Sequence, residues 1–176
     1  MSQRIRLTGY QARLSSDYNI LKLCVGLIMG IELPPDFKEF LKLLNARGVK
    51  YLLIGGYAVG YHGYPRATND FDIWIEINPN NARRMVEAIQ EFGCGMAELS
   101  PNLFLQDQNI IRMGVPPMRI EILTKISGVS FEEAYEDRVI DMIDDIEVSL
   151  ISLSQLKMNK KASGRHKDLD DLEHLP

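Results

Sequence analysis

Cysteine is scarce in this chain of 176 residues: Cys24 and Cys94 stand far apart without Cys-x-x-Cys spacing, which argues against a disulfide framework or a zinc site. Positive charge is not in excess either. Twenty Lys and Arg against 24 Asp and Glu leave a net charge of −4 and a pI near 5.4. Such a surface disfavours long nucleic-acid duplexes as partners, although a local basic patch can still hold a tRNA end. Long hydrophobic runs are missing. The apolar stretch from Ile20 to Ile28 is interrupted by Lys22, is too short to span a membrane, and is followed by no small-x-small cleavage site, despite the basic start of Arg4, Arg6 and Arg13. Repeats and low-complexity segments are absent as well. What remains, with 45% hydrophobic residues, is a chain able to bury one sizeable core, in a reducing cytoplasm and away from membranes.

Residues 1–28 read as an extension that is loose, dispensable or misassigned, with Met29 as a candidate true start, and residues 29–176 as a single domain. From Pro35 the punctuation is regular. Asp36 is placed to cap a helix with Glu39 as its reciprocal partner, and Phe37, Phe40, Leu41 and Leu44 give it an apolar face until Gly48. A short buried strand, Tyr51 to Ile54, runs into Gly55-Gly56 and a helix from Tyr57. After a strand from Phe71 to Ile77, Asn78 caps a helix that has Pro79 at its first position and ends at Gly93. Leu103 to Leu105 and Ile110 to Met113 read as paired strands, and Pro116-Pro117 turns the chain into a strand containing Glu121. Ser130 caps a short helix from Phe131, Arg138 to Ile143 and Ile146 to Ile151 form a hairpin about Asp144-Asp145, and a final helix runs from Ser152, with Gln155 as box partner, to Gly164. The fold class is therefore α+β or α/β, a mixed sheet of about five strands with flanking helices packed mainly on one side.

The most informative stretch is Gly55-Gly56, thirteen residues, then Asp70-Phe71-Asp72-Ile73. Side chains two apart on a strand share a face, so Asp70 and Asp72 can share a cation while Phe71 and Ile73 face the core. Hard divalent cations such as Mg²⁺ take oxygen ligands, commonly one or two carboxylates with substrate phosphates and water. Glycines at a strand-to-helix turn let backbone N–H groups approach a phosphate with no Cβ in the way. A second signal lies in the tail, where Lys157, Lys160, Lys161, Arg165 and Lys167 follow one another without an acid after the acidic segment Glu132 to Glu147. A basic cluster in an acidic protein is a candidate phosphate site.

With these motifs, and with the run Tyr61-His62-Gly63-Tyr64-Pro65-Arg66-Ala67-Thr68-Asn69-Asp70, the chain resembles the DNA polymerase β-like nucleotidyltransferase superfamily. It is most similar in pattern to small prokaryotic members related to abortive-infection type IV toxins and minimal nucleotidyltransferase antitoxins, over about Leu33 to Leu175. The resemblance implies a third carboxylate from a later strand, for which Glu121 in Arg119-Ile120-Glu121-Ile122 is the candidate, with Arg119 on its face. It implies that Asp70, Asp72 and Glu121 hold Mg²⁺, two ions in all, and act in catalysis. Gly55, Gly56, Arg66, Lys160 and Arg165 bind nucleotide, Lys161 is the rival of Lys160, and Asp168 orients Arg165 or Lys160. The activity implied is transfer of a nucleoside monophosphate from an NTP to a hydroxyl on a protein, a tRNA end or a small molecule, with a cognate toxin or antitoxin as partner. The alternative is a catalytically weak nucleotide-binding antitoxin that acts by contact. Many superfamily members carry Ser where this chain has Gly56, so triphosphate binding leans more on backbone N–H groups and Arg66.

Several of these residues carry a plainer reading. Glu121 has the alternative of a solvated edge-strand residue paired with Arg119, and the tail charges that of a solvated helix beside Asp170, Asp171 and Glu173. Arg66 is either a triphosphate contact or a clamp on acids. His62 reads as a hydrogen-bonded, partly buried histidine. Trp74 is expected on the face opposite Asp72, flanking the cleft, and Tyr57 and Tyr61 are open between stacking a base and closing the core.

Overall fold

The computed structural model describes residues 33–95, 98–115 and 118–176, with the backbone of 4–7. Apart from that short strand, the N-terminal extension lies outside the described residues, as does the Pro116-Pro117 turn. The strands are β1 (Arg4–Leu7), β2 (Tyr51–Leu53), β3 (Asp70–Ile75), β4 (Ile110–Val115), β5 (Met118–Leu123), β6 (Val139–Ile143) and β7 (Ile146–Leu150). They form one mixed sheet in the order β1-β4-β5-β3-β2-β7-β6, wider than the expected five strands. β3 runs parallel to β5 and antiparallel to β2, and β4 runs antiparallel to β5.

The helices are α1 (Pro35–Ala46), α2 (Gly55–Tyr61), α3 (Pro79–Glu91), α4 (Phe131–Glu136), α5 (Leu153–Ser163) and α6 (His166–His174). They cover both faces of the sheet rather than mainly one. Phe37, Phe40, Leu41 and Leu44 of α1 and Ala82, Met85 and Ile89 of α3 pack with Phe71, Ile73, Ile120 and Ile122 in the larger core. A second cluster on the opposite face joins Leu52, Ile54 and Trp74 to Ala58, Ala134 and Leu156 of α2, α4 and α5. Strand parity settles the side of Trp74. Residues 70, 72 and 74 share a face, so Trp74 lies on the side of Asp72 and not opposite it, where it is buried and donates its indole N–H to the Thr124 carbonyl at 3.3 Å.

Other expected boundaries shift for local reasons. The first helix opens at Pro35 with Pro34 as N-cap, so Asp36 lies within the first turn and not at the cap; the fixed φ of proline suits the first helical position. Pro101 likewise starts a 3₁₀ turn through Phe104 where a strand was expected, and Asn109 fastens the turn by donating to the Leu103 carbonyl. Asn78 and Ser130 do cap their helices, each accepting from a backbone N–H, and Ser152 accepts from Gln155 N. Asp144 and Asp145 both take left-handed backbone angles, as a two-residue hairpin turn requires. Gly164 ends α5 in the left-handed conformation, but the chain then starts the further helix α6, which returns over α5.

Candidate functional site

The sheet register assembles the acids. Asp72 lies directly opposite Glu121 across the parallel β3–β5 pair, and Asp70 lies opposite Arg119. One strand further, Arg112 lies opposite Glu121 across the antiparallel β4–β5 pair. Glu121 sits on an interior strand and is buried, so it is not a solvated edge residue, although its pairing with Arg119 is as that reading had it.

The Gly55-Gly56 turn closes on these acids. Gly55 has φ +64°, and a Cβ there would stand 2.6 Å from the Asp72 Cγ and closer still to Oδ2. Only glycine meets both demands, a left-handed backbone and a carboxylate in the space a side chain would fill. A Cβ on Gly56 would stand 2.6 Å from both Cβ and Oγ1 of Thr68, whose hydroxyl donates to the Asp70 carbonyl at 3.3 Å. The hydroxyl at this turn therefore comes from Thr68.

The tail reaches the same place through a buried charge network. Lys160 Nζ lies 3.0 Å from Asp168 Oδ1 and 2.6 Å from Asp171 Oδ2, with all three side chains nearly inaccessible. Arg66 forks onto Asp171 at 2.5 and 2.8 Å, and Arg165 onto Asp168 at 2.6 and 3.3 Å. Arg66 is thus a clamp, but its acid is Asp171 of α6. Asp168 orients both Arg165 and Lys160, whereas Lys161, the rival of Lys160, is exposed. Of the cations in the network, Arg165 alone keeps a largely exposed side chain, at 75% against 15% for Arg66 and 4% for Lys160. His62 is hydrogen-bonded to the Ile151 carbonyl at 2.8 Å. Tyr57 is core, between Phe37 and Phe71, and Tyr61 donates to Asp141 at 2.6 Å.

Electrostatics separate the carboxylates. Burial, then the charges of Glu121 and Asp70, push the Asp72 carboxyl up to about 7, against the pull of Arg165 and Lys160. Burial also works against Asp168, but its hydrogen bonds from Arg165, Lys160 and Ser163 win and hold it down at about 2. The two shifts have opposite consequences. A raised acid favours the folded state below its ordinary value of 3.8 and loses that contribution as pH climbs to about 7; a lowered one contributes above 3.8 and loses it toward about 2. The ligand-free protein is therefore expected to gain stability from acid to about pH 4 and to decline toward neutrality. Asp72→Asn should flatten the decline, worth about 2–4 kcal/mol, in thermal melts run across pH.

The donor set of Asp70, Asp72 and Glu121 fits a hard cation in kind. Among the described residues, however, no three acidic, histidine or cysteine side chains are arranged to hold a metal ion. Arg119 Nη2 stands 2.9 Å from both Asp70 Oδ1 and Glu121 Oε1, and Arg112 Nε stands 2.7 Å from the same Glu121 oxygen. A guanidinium of the chain itself thus bridges Asp70 and Glu121.

The profile of a family described as "Nucleotidyltransferase of unknown function (DUF6036)" matches residues 32–175, nearly the whole described chain. The chain belongs to this nucleotidyltransferase family. Its fold agrees with that of a candidate nucleotidyltransferase from Thermotoga maritima, at a TM-score of 0.54 and 12% identity, over 78% of this chain and 88% of that one. An antigenic nucleotidyltransferase-like protein from Paracoccidioides brasiliensis aligns at a TM-score of 0.47 and 16% identity, over 79% and 73% of the two chains. No functionally curated protein matches the sequence.

Two residues of the charge network, Arg112 and Asp171, are not among the candidates read from the sequence. Arg112 has a signal, since alternation in β4 and a short antiparallel connection put it level with Glu121. Asp171 has one too, three residues after Asp168 and so on the same helix face, but its neighbours Asp170 and Glu173 make the segment resemble a solvated acidic run. No helix among the described residues is long and apolar enough to cross a membrane.

Proposed function

We propose that this nucleotidyltransferase transfers a nucleoside monophosphate from an NTP to a hydroxyl acceptor, in the cytoplasm. The acceptor hydroxyl gives its proton to a carboxylate of the site, with Glu121 as the candidate base, and its oxygen bonds to the α-phosphorus as the bond to the leaving pyrophosphate breaks. The observation that supports this best is the register that sets Asp72 against Glu121 one step from Asp70, with Gly55 stripped of a Cβ where Asp72 stands.

Asp70, Asp72 and Glu121 are the residues that would hold Mg²⁺. When bound there, it lowers the pKa of the incoming hydroxyl and offsets charge on the phosphates. The rest of the work falls to the chain. The Gly55-Gly56 turn receives phosphate oxygens on its backbone N–H groups, and Arg165, forked and exposed, offsets charge on the departing pyrophosphate. Lys160 is spent on Asp168 and Asp171, so it acts on the site through its field at Asp72 and by holding α6 in place. The acceptor is a protein hydroxyl, a tRNA end or a small hydroxylated molecule.

The test is incubation of purified protein, alone and with tRNA, with each α-labelled NTP and Mg²⁺, beside an Asp70→Asn, Asp72→Asn double variant. The wild type is expected to transfer label and the variant to lose it. Absence of transfer, with no NTP binding by calorimetry, would sink the enzymatic reading for those acceptors.

The guanidinium lodged between Asp70 and Glu121 favours a second reading. In it the protein is a catalytically weak nucleotide binder that serves as the antitoxin of a toxin–antitoxin pair by contact. NTP binding without label transfer, together with co-purification of a toxin encoded beside it, is the result that would select it.

A further inference from the structure

We propose that Arg119 is a gate that couples cation and nucleotide entry: its guanidinium occupies Asp70 and Glu121 until a divalent cation and a polyphosphate displace it together. This rests on the metal-site reading above and extends it to a residue outside the metal ligands.

The first argument is placement. Arg119 sits opposite Asp70 in register and two residues before Glu121 on one strand face, so its guanidinium is delivered to the gap between the acids by the sheet itself. One Nη2 nitrogen reaches both carboxylates at 2.9 Å, so the guanidinium occupies oxygens of two of the acids that would hold a cation. An incoming ion therefore competes with a tethered charge. Arginine cannot escape by losing a proton, so only competition for the acids or for the guanidinium removes it.

The second argument distinguishes Arg119 from Arg112. Arg112 pairs with Glu121, with Nε at 2.7 Å, from the strand on the far side of β5. It can keep Glu121 oriented and partly neutralised when Arg119 leaves. Arg119, by contrast, bridges two acids and carries a buried Nε without a hydrogen-bond partner. Its present pose leaves a donor unused, and an anion arriving at the site offers that donor an acceptor.

The third argument is charge. Around the site Arg66, Arg112, Arg119, Lys160 and Arg165 face Asp70, Asp72, Glu121, Asp168 and Asp171, and the ion pairs already offset one another. A divalent ion alone would add positive charge where Arg119, Arg112 and Arg165 already act on the acids. A polyphosphate alone would face unshielded carboxylates. Together the two bring charges of opposite sign, and Arg119 moves from carboxylate to phosphate, so each ligand raises the affinity for the other.

Mn²⁺ is the probe, titrated into the full chain by calorimetry, first alone and then as its complex with inorganic tripolyphosphate. Wild type is expected to bind the complex about tenfold or more tighter than the bare ion. In Arg119→Gln the bare ion should bind about tenfold tighter than in wild type, and most of the advantage of the complex should vanish. Arg119→Lys, which keeps the charge but not the fork, should fall between them and decides the matter if the glutamine variant does not fold. Unchanged or weaker binding of bare Mn²⁺ in the folded variants, while wild type binds the complex, would overturn the gate and leave the metal site standing. Failure of wild type to bind either probe would remove the metal site and the gate with it.

Discussion

Asp171→Ala is expected to cost about 3–5 kcal/mol of folding stability, the range found when one partner of a buried ion pair is removed. Asp171 is fully buried, and its two oxygens receive the Arg66 fork and the Lys160 ammonium. Truncation strands both cations. Lys160 would fall back on Asp168 alone, which Arg165 already engages, and Arg66, whose Nη1 is already buried without a partner, would have lost its carboxylate. Neither cation can return to water without moving α6 or the loop that carries Arg66. Glu173→Ala, an exposed change two residues along the same helix, should stay within about 0.5 kcal/mol. Urea unfolding midpoints of the two variants provide the comparison, and equal midpoints would show that the network does not hold α6 to the domain. The same network explains why a helix with so polar a sequence docks at all. Its buried positions include two aspartates, Asp168 and Asp171, paired with cations of α5 and of the loop before β3.

Gly55→Ala is expected to cost about 2–4 kcal/mol, combining a left-handed backbone with overpacking, and to lower label transfer about a hundredfold or more. The added methyl would fall within 2.9 Å of the Asp72 Cβ and 2.6 Å of its Cγ. Asp72 cannot yield freely, because its backbone carbonyl accepts from Ile54 N and its strand is paired on both sides. The carboxylate must therefore turn away from the turn, and a displacement near 1 Å at a catalytic group is enough for a loss of that order. Gly60→Ala is the control. Five residues further along, its new Cβ would meet nothing nearer than 3.8 Å, so stability and transfer should both persist. Loss of transfer in Gly55→Ala with melting unchanged would assign the effect to the carboxylate; full activity would remove the turn from the site.

These two predictions draw on different depths of information. The acid-apolar-acid-apolar run of Asp70 to Ile73 and the Gly-Gly turn before it were legible because strand parity and glycine stereochemistry are local properties, fixed within a few residues of chain. The same holds for Asn78-Pro79, Ser130 and Gly164, each of which starts or ends the helix its own side chain or backbone preference dictates. Where local signals competed, the sequence reading failed. The helix opens at Pro35, one residue before Asp36, and Pro101 turns an apolar tripeptide into a 3₁₀ turn. The helix after Gly164 was missed because its apolar face is small, and pairing of aspartates with distant cations replaces hydrophobic periodicity as its anchor.

By itself, then, the sequence determined the class of fold, the candidate acids and the turn that faces them, since each depends on spacing along the chain. Beyond the pairings of Glu121 with Arg119 and of Asp168 with Arg165 and Lys160, tertiary structure decided which charges meet. Register across β3, β5 and β4 joined Asp72 to Glu121 and Glu121 to Arg112, and the return of α6 over α5 buried Lys160 between two aspartates instead of presenting it to a phosphate. Partners in a charge network are chosen by distance and burial, and both are set only after strands have paired and helices have docked, because Coulomb energies grow as water is excluded between groups that the chain itself keeps far apart.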